Sequence, residues 1–320
     1  MKVLVTGATG FIGNHLCELL NNNGFSIVAL VRPGSDIYKL QQLSNVNFIF
    51  GDIRSFEQLE TITTFPEIIF HLAADWSRLN VKDDEDFLSY VVNKGVKKII
   101  FYSSVCAAGL DLAKMPLHES DIPQFLPNDH YGKYKYAVEL FLQKLQKENK
   151  AESVILRPTL VYGPGDTNNI STLVKAVRFK RLALWDNGKR IIAPCSIQNL
   201  NNVAMLAARS EISNNTYYVA DGENISIYYT TKVIADNLGF KHQYVNWKSS
   251  LGFYKGFLIF VLNKIKFTDS FATHFAFRTW TRSYDVSLKQ LQSALQNIPL
   301  LSFEDSMKET INWYINENII

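Results

Sequence analysis

"VTGATGFIGNHLCELL", residues 5–20, joins a short apolar run to an amphipathic segment through Gly7, Gly10 and Gly13. Glycine lets a backbone turn sharply and approach a ligand, and free amide groups at a helix N-terminus attract negative charge. This spacing at a strand-to-helix turn predicts a loop that binds a dinucleotide pyrophosphate, with a purely structural turn as the alternative. We expect Phe11 and Ile12, within the same loop, to contact the cofactor as well.

Short β-rich runs alternate with helical stretches through the first half of the chain: "KVLVTG", "SIVALV", "NFIFGD", "EIIFHLA", "KKIIFYSS" and "SVILRPTLVYG". Near-continuous apolar runs separated by crossover helices indicate parallel strands that are buried on both faces. We therefore predict an α/β fold with a doubly wound, Rossmann-type parallel sheet. The pattern becomes irregular near residue 163, which predicts a dinucleotide-binding domain over 1–163 and a smaller, interleaved substrate lobe over 164–320. Part of 196–221, which includes "TYYVADG", is expected to return to the sheet.

The composition indicates a globular protein with a small-molecule partner. A net charge of +3, without a run of Lys and Arg, favours neither nucleic acid nor an anionic membrane. The start "MKVLVTG" lacks the features of a signal peptide, so we expect a cytoplasmic location. The longest apolar run, 257–262, is far shorter than the roughly 18 to 20 residues that span a bilayer. It predicts a buried helix, or a subunit or substrate surface, and no membrane insertion.

Cysteine and histidine patterns give no support for a metal site. The 3 cysteines are widely spaced without a C-x-x-C pair, and the 6 histidines form no H-x-x-x-H pattern. We expect buried thiols and no metal.

The end of the second predicted strand bears on the choice of nicotinamide cofactor. A carboxylate there would bind the ribose 2′-hydroxyl and repel a 2′-phosphate, but Val31 and Arg32 occupy the place. Arg32 can form charge-assisted hydrogen bonds to a phosphate, so NADP(H) is favoured and NAD is the alternative. A solvated arginine is the simpler interpretation of Arg32. Asp52, in "FGDIRS", is expected to accept from the adenine amino group, or to serve only as a turn residue.

Tyr131 and Lys135 stand four residues apart in "YGKYKYAVELFLQKLQ", which reads as a helix. This spacing places both side chains on one helix face, whereas Tyr134 and Tyr136 have no lysine four residues later. A nearby ammonium stabilises a phenolate, so Tyr131 would be able to exchange a proton with an alcohol or a ketone. Such pairs also occur by chance on exposed helices.

Two hydroxyl groups follow the strand in "KKIIFYSSVCAAG". Since strand residues alternate in direction, either Ser103 or Ser104 should point into the cleft at the carboxyl end of the sheet.

With these motifs assembled, the chain resembles the extended short-chain dehydrogenase/reductase family, also called the NAD-dependent epimerase/dehydratase family. The resemblance spans nearly the whole chain through "TGATGFIG", "GDIRS", "HLAA", "FYSSVCAAG", "YGKYKYAVE", "LRPTLVYGPGD" and "SYDVSLKQL". It implies Ser104 as the active-site hydroxyl, Tyr131 as acid/base, and Lys135 as the residue that binds the ribose and lowers the tyrosine pKa. Further implied cofactor contacts come from Ile53, Leu72, Ala73, Ala74 and Pro158. A homodimer through helices such as 134–148 is also implied.

The chain departs from the family pattern at several positions. Asn80 resembles the asparagine that opens the helix after the fourth strand, but Asp83 and Asp84 stand where Gly and Thr are common. Tyr134 stands where relatives often carry a serine, and we expect it, with Lys133 and Tyr136, to be a helix-face or packing residue.

The resemblance also bears on the type of reaction. Family dehydratases carry an Asp-Glu pair after the active-site hydroxyl, but this chain has Val105 and Cys106, which disfavours dehydration. Nucleotide-sugar members commonly grip a diphosphate with an arginine where this chain has Ile192. Candidate substitutes for that arginine, each equally a surface charge, are Arg190, Arg278 and Arg282.

The segments at 249–267 and 275–287 resemble the apolar lobe of hydroxysteroid dehydrogenase and dihydroflavonol reductase relatives, or are simply core. We therefore expect an NAD(P)-dependent oxidoreductase that interconverts a secondary alcohol and a ketone on a sugar-derived or apolar substrate. The alternatives are a nucleotide-sugar 4-epimerase or 4-ketoreductase, and a non-catalytic NAD(P)-binding sensor.

Overall fold

A parallel sheet of seven strands organises the described part of the chain. The computed structural model describes residues 1–75, 77–110, 112–167, 169–247, 283–296 and 298–320. The predictions for the apolar run at 257–262 and for Arg278 and Arg282 lie outside these ranges. The strands are β1 (Lys2–Thr6), β2 (Ser26–Val31), β3 (Val46–Phe50), β4 (Ile68–His71), β5 (Lys98–Tyr102), β6 (Glu152–Pro158), β7 (Leu160–Tyr162), β8 (Ala183–Trp185), β9 (Pro194–Ser196), β10 (Thr216–Val219) and β11 (Val245–Trp247).

The strand order in the large sheet is β10-β6-β5-β4-β1-β2-β3, and every pairing is parallel. This arrangement confirms the predicted doubly wound, Rossmann-type α/β fold. The order reverses at β1, because the chain first builds outward through β2 and β3 and then continues from β4 on the other side. A ligand crevice is expected outside the carboxyl ends of the strands at such a reversal.

Helices cover both faces of the sheet. They are α1 (Phe11–Asn22), α2 (Tyr38–Gln41), α3 (Val81–Asn93), α4 (His130–Lys147), α5 (Ile170–Arg178), α6 (Ile197–Ala208), α7 (Ile227–Asn237), α8 (Lys289–Leu295) and α9 (Phe303–Asn316), with short 3₁₀ turns at Glu57–Thr61, Val105–Ala108 and Asp186–Gly188. Leu16 of α1 and Leu200 of α6 lie in one buried apolar cluster, while Phe87 of α3 and Val138 of α4 lie in another. Helices α1 and α6 therefore pack on one face, and α3 and α4 on the other.

A separate apolar cluster joins β7 and β8 to α5, α7 and α9, with Tyr162, Ile234 and Met307 at its centre. The strand Thr216–Val219 pairs with β6, so the chain returns to the large sheet after β7, β8 and β9. The division into a domain of 1–163 and a lobe of 164–320 stays a prediction. Within the described ranges, no helix combines the length and the apolar character needed to cross a bilayer.

Candidate active site

The glycine loop between β1 and α1 is held close to the end of β4. Gly7 has a φ of 69°, and a Cβ added there would lie 2.9 Å from the Ala73 nitrogen. A Cβ at Gly13 would lie 2.1 Å from the Gly7 carbonyl oxygen, so the first turn of α1 can approach the loop only with glycine at both places. Gly10 precedes α1 and donates its amide to the Gly7 carbonyl at 3.1 Å.

A cleft of about 370 Å³ opens beside this loop, at the carboxyl ends of β1, β2, β3 and β4. Its lining includes eight of the residues expected to bind the cofactor: Gly7, Gly10, Arg32, Asp52, Ile53, Leu72, Ala73 and Ala74. It also includes residues that the sequence did not single out as contacts, namely Thr6, Thr9, Leu30, Val31, Gly51 and Asp75. Most of these flank the recognised motifs, and that adjacency is the signal by which they could have been found.

The other expected cofactor residues are not in the lining of this cleft. Phe11, Ile12 and Gly13 form the start of α1, and Gly13 serves the close packing just described. Pro158 is the buried last residue of β6 and is paired with Val219 of β10. Lys135 lies on α4, beyond β5.

Asp52 lines the cleft from a tight turn that follows β3. Its carboxylate accepts from the Arg54 guanidinium at 2.8 and 3.0 Å and from the Arg54 amide at 3.0 Å. The side-chain hydrogen bond from Arg54 is the largest cause that lowers the pKa of Asp52, and the charge of Arg32 adds to it. Arg54 also reaches Asp75, which follows β4, at 3.2 Å. Asp52 therefore both forms the turn and lines the cleft, so the two interpretations of this residue are compatible.

Ser103 and Ser104, which directly follow β5, point in different directions. Ser103 is buried and donates to the Glu139 carboxylate, which also binds the Arg157 guanidinium at 2.6 Å. Ser104 is half-buried and hydrogen-bonds through its side chain to Tyr131. The two serines thus point to opposite sides, as the alternation of strand residues predicts, and Ser104 is the one on the side of Tyr131.

Tyr131 and Lys135 occupy the first turns of α4, which Asp129 caps by accepting from the Gly132 amide at 3.0 Å. Burial raises the pKa of Tyr131, and the side-chain hydrogen bond with Ser104 acts in the opposite direction. Burial lowers the pKa of Lys135 to about 8, against the charges of Asp84 and Glu139. The Lys135 ammonium donates to the Tyr102 carbonyl at 2.8 Å and lies 4.6 Å from the centre of the Phe101 ring.

A buried polar chain connects α4 with the floor of the cleft. The Tyr134 hydroxyl donates to Asp84 Oδ2 at 2.8 Å, and Asp84 Oδ1 lies 2.9 Å from His71 Nε2. His71 Nδ1 lies 2.9 Å from the Thr6 hydroxyl, which accepts from the amides of Leu72 and Ala73 at 3.2 Å each. Tyr134 is therefore a packing residue, as expected, but a polar one. Its hydrogen-bond partner lies fifty positions earlier in the chain, and no sequence pattern pairs the two residues.

Asn80 and Tyr136 also have defined places in the structure. Asn80 caps α3 by accepting from the Lys82 amide at 3.2 Å, so it opens the helix as expected. Tyr136 is half-buried, with its ring centre 5.8 Å from that of Phe125.

In the stretch 190–200, which matches the diphosphate-binding segment of nucleotide-sugar members of the family, the side chains make internal contacts. Ile192 is buried, and Arg190 lies 3.8 Å from Asp186. Ser196 caps α6, and Asn199 donates to Asp221 at 2.9 Å. Among the described residues, no group of three or more His, Cys, Asp or Glu side chains is arranged to hold a metal ion.

The sequence and the fold of this chain are similar to those of known proteins. A model of the NAD dependent epimerase/dehydratase family matches residues 3–220. The chain is 26% identical over 259 residues to 4-hydroxy-2-methyl-3-oxo-4-farnesyl-3,4-dihydroquinoline-1-oxide ketoreductase of Stigmatella aurantiaca, covering 77% of this chain and 76% of that protein. It is 27% identical over 246 residues to UDP-glucose 4-epimerase of Vibrio cholerae, covering 70% and 72%. The crystal structure of UDP-glucose 4-epimerase from Thermotoga maritima with UDP-glucose superposes with a TM-score of 0.73 at 22% identity, over 99% and 100% of the two chains.

Proposed function

This chain belongs to the NAD-dependent epimerase/dehydratase family, and from that premise we propose that it catalyses the net interconversion of a secondary alcohol and a ketone. It is an NAD(P)-dependent oxidoreductase of the extended short-chain dehydrogenase type. The observation that carries the proposal is the hydrogen bond between Ser104 and Tyr131, with Lys135 one turn further along α4. These are the hydroxyl, the phenol and the ammonium that proton transfer to a carbonyl oxygen requires.

The cleft beside the glycine loop fits a dinucleotide. Gly7 and Gly10 lead into the N-terminus of α1, whose positive end would face a pyrophosphate. Asp52 keeps one lone pair for the adenine amino group, because Arg54 occupies the other three. When bound, a nicotinamide coenzyme supplies or accepts the hydride at the substrate carbon.

Ser104, which follows β5, and Tyr131 of α4 would handle the proton. In the reducing direction, Ser104 would orient the ketone oxygen and Tyr131 would give that oxygen its phenolic proton. Burial keeps the pKa of Tyr131 above its ordinary value, so the phenol of the coenzyme-free protein holds a proton at neutral pH. The Lys135 ammonium stabilises the phenolate that the transfer leaves behind. Oxidation of the alcohol reverses these steps.

Replacement of the phenol tests this mechanism. With a substrate identified by screening secondary alcohols and ketones, Tyr131→Phe should lower kcat by about a hundredfold or more, since general acid–base groups contribute on that scale. Tyr136→Phe, on the same helix, is the matched control and should retain turnover. Full activity of Tyr131→Phe would refute the mechanism.

We further propose a preference for NADP(H), supported by Arg32 at the rim of the cleft and by the absence of a carboxylate at the end of β2. Binding of NADPH and NADH should be compared by fluorescence titration in the unmodified protein and in Arg32→Ala. The variant should lose affinity for NADPH and keep its affinity for NADH. An unchanged ratio would remove the argument from Arg32.

A sugar-derived or apolar substrate is proposed, and the relative from Stigmatella aurantiaca, a ketoreductase, favours net reduction. The second candidate is nucleotide-sugar 4-epimerisation, which the relative from Vibrio cholerae favours. Calorimetric titration with UDP, dTDP and GDP separates the two, because a diphosphate clamp should bind a nucleoside diphosphate at micromolar concentration. The buried Ile192 and the internal contacts of Asn199 support the first candidate. The cytoplasmic location and the homodimer stay predictions.

A further inference from the structure

Asp84 is a buried carboxylate placed between the cofactor cleft and the proton-transfer helix. Its side chain is almost fully enclosed, and both of its oxygens are hydrogen-bonded, one to His71 Nε2 at 2.9 Å and one to the Tyr134 hydroxyl at 2.8 Å. Asp84 and Tyr134 replace the threonine and the serine that are common at their positions. The two replacements contact each other, so they form one feature of this chain.

The hydrogen bonds of Thr6 determine the charge of the buried polar chain that Thr6, His71, Asp84 and Tyr134 form. Amides of Leu72 and Ala73 both donate to the Thr6 hydroxyl oxygen, which occupies its two acceptor sites. The Thr6 hydroxyl must then donate to His71 Nδ1, so the ring carries its proton on Nε2 and donates to Asp84. A neutral His71 and a neutral Tyr134 both donate to Asp84. The carboxylate is therefore the ionised acceptor, and the four side chains of this buried polar chain together carry one negative charge.

That charge acts on the Lys135 ammonium. Two acidic groups act on Lys135, Asp84 from α3 and Glu139 from α4. Glu139 is already bound by Arg157 of β6 and by Ser103, so its charge is compensated. The Phe101 ring contacts both Lys135, whose Nζ lies 4.6 Å from the ring centre, and His71, whose ring stacks on it at 5.8 Å.

Two phenols also lie near Lys135 on its own helix. The ammonium lies 5.7 Å from the ring centre of Tyr134, and Tyr131 is one turn away on α4. Asp84 is therefore the acidic group that acts on Lys135 without a cation of its own among the described contacts.

We propose that Asp84 is a positioning residue for the proton-transfer pair: its carboxylate, fixed by His71 and Tyr134, keeps Lys135 in the ammonium form inside a buried site. The inference deepens the proposed function, since it explains how this chain keeps the cation that Tyr131 needs. Its direct test, however, requires neither substrate nor turnover.

The test follows Lys135 itself by NMR, in protein labelled with ¹³C-lysine, with the Lys135 resonance identified by its loss in Lys135→Met. The unmodified protein should titrate near pH 8. In Asp84→Asn, which keeps the shape and removes the charge, the midpoint should fall by about one pH unit. Tyr134→Phe keeps the charge and removes one hydrogen bond, so its midpoint should stay close to that of the unmodified protein.

Two results would overturn the inference: an unchanged midpoint in Asp84→Asn, or an equal fall in Tyr134→Phe. If Asp84→Asn does not fold, Asp84→Thr combined with Tyr134→Ser supplies the residues common at both positions, and the same fall is expected. Once a substrate is known, the alkaline limb of the kcat profile should move to lower pH in Asp84→Asn and not in Tyr134→Phe. A moved NMR midpoint without any turnover would refute the proposed function and leave this inference standing.

Discussion

The guanidinium of Arg54 binds both carboxylate oxygens of Asp52, at 2.8 and 3.0 Å, and then reaches Asp75 at 3.2 Å. Asp52 follows β3 and Asp75 follows β4, so Arg54 ties together two loops at the same end of the cleft. The contact also orients Asp52, because two of its bonds come from one planar group. The lone pair that remains is thereby held in a fixed position for a ligand.

We expect Asp52→Asn to weaken coenzyme binding by about tenfold. The asparagine amide can be oriented in two ways, and in each its NH₂ group meets another donor, either Arg54 or the adenine amino group. An unmatched donor costs about 1 to 3 kcal/mol. Fluorescence titration with NADPH and NADH measures the change. Asp36→Asn, in an exposed loop where the side chain accepts from the Tyr38 amide, is the control and should bind normally. Equal binding by both variants would show that Asp52 is only a turn residue.

Gly7 and Gly239 have the same positive-φ backbone conformation, but only Gly7 is closely packed. Comparing substitutions at the two positions therefore separates the effect of missing space from the effect of a positive φ. Their φ angles are 69° and 71°, but an added Cβ meets the Ala73 nitrogen at 2.9 Å in one case and nothing within 4 Å in the other. Asparagine tolerates this conformation, so Gly239→Asn should be nearly neutral. Gly7→Asn should destabilise the fold and abolish coenzyme binding. Thermal unfolding and titration measure both effects, and similar behaviour of the two variants would contradict the expected close packing.

Glu139→Gln should destabilise the protein by about 3 to 5 kcal/mol, because it leaves the buried Arg157 without its counter-ion. Glu67→Gln is the matched control, since the Glu67–Lys97 pair is largely exposed to solvent, with side chains 65% and 72% exposed. Solvent screens such a pair, so its loss should change stability little. Denaturant unfolding gives both values. A small effect at Glu139 would mean that Arg157 finds another partner.

Lys135 should make the stability of the protein depend on pH above neutrality. Its folded pKa is about 8, below the 10.5 of an unperturbed lysine, so between these values the unfolded chain holds a proton that the folded chain has released. The free energy of unfolding should therefore rise from pH 8 to pH 10.5, by about 3 kcal/mol from this group. Subtracting the profile of Lys135→Met isolates the contribution. Lys133→Met, which changes an exposed lysine on the same helix, should leave the rise intact.

The local patterns of the sequence were sufficient for the fold and for part of the site. Apolar runs separated by helical stretches predicted the parallel sheet, because a strand buried on both faces must be apolar along its whole length. The spacing of Gly7, Gly10 and Gly13 predicted the strand-to-helix turn, and eight of the expected cofactor residues line the cleft beside it. The spacing of Tyr131 and Lys135 likewise follows from the period of one helix.

Contacts between distant segments were decided only by the tertiary structure. Strand alternation alone left open which of Ser103 and Ser104 faces Tyr131, and only the family resemblance implied Ser104. No pattern in the sequence joined Asp84 to Tyr134 or Arg54 to Asp75. A helix or strand period fixes only which side of its own element a residue occupies. Whether two such sides meet depends on how α3, α4 and the sheet pack, and that packing satisfies buried polar groups whose partners lie far away along the chain.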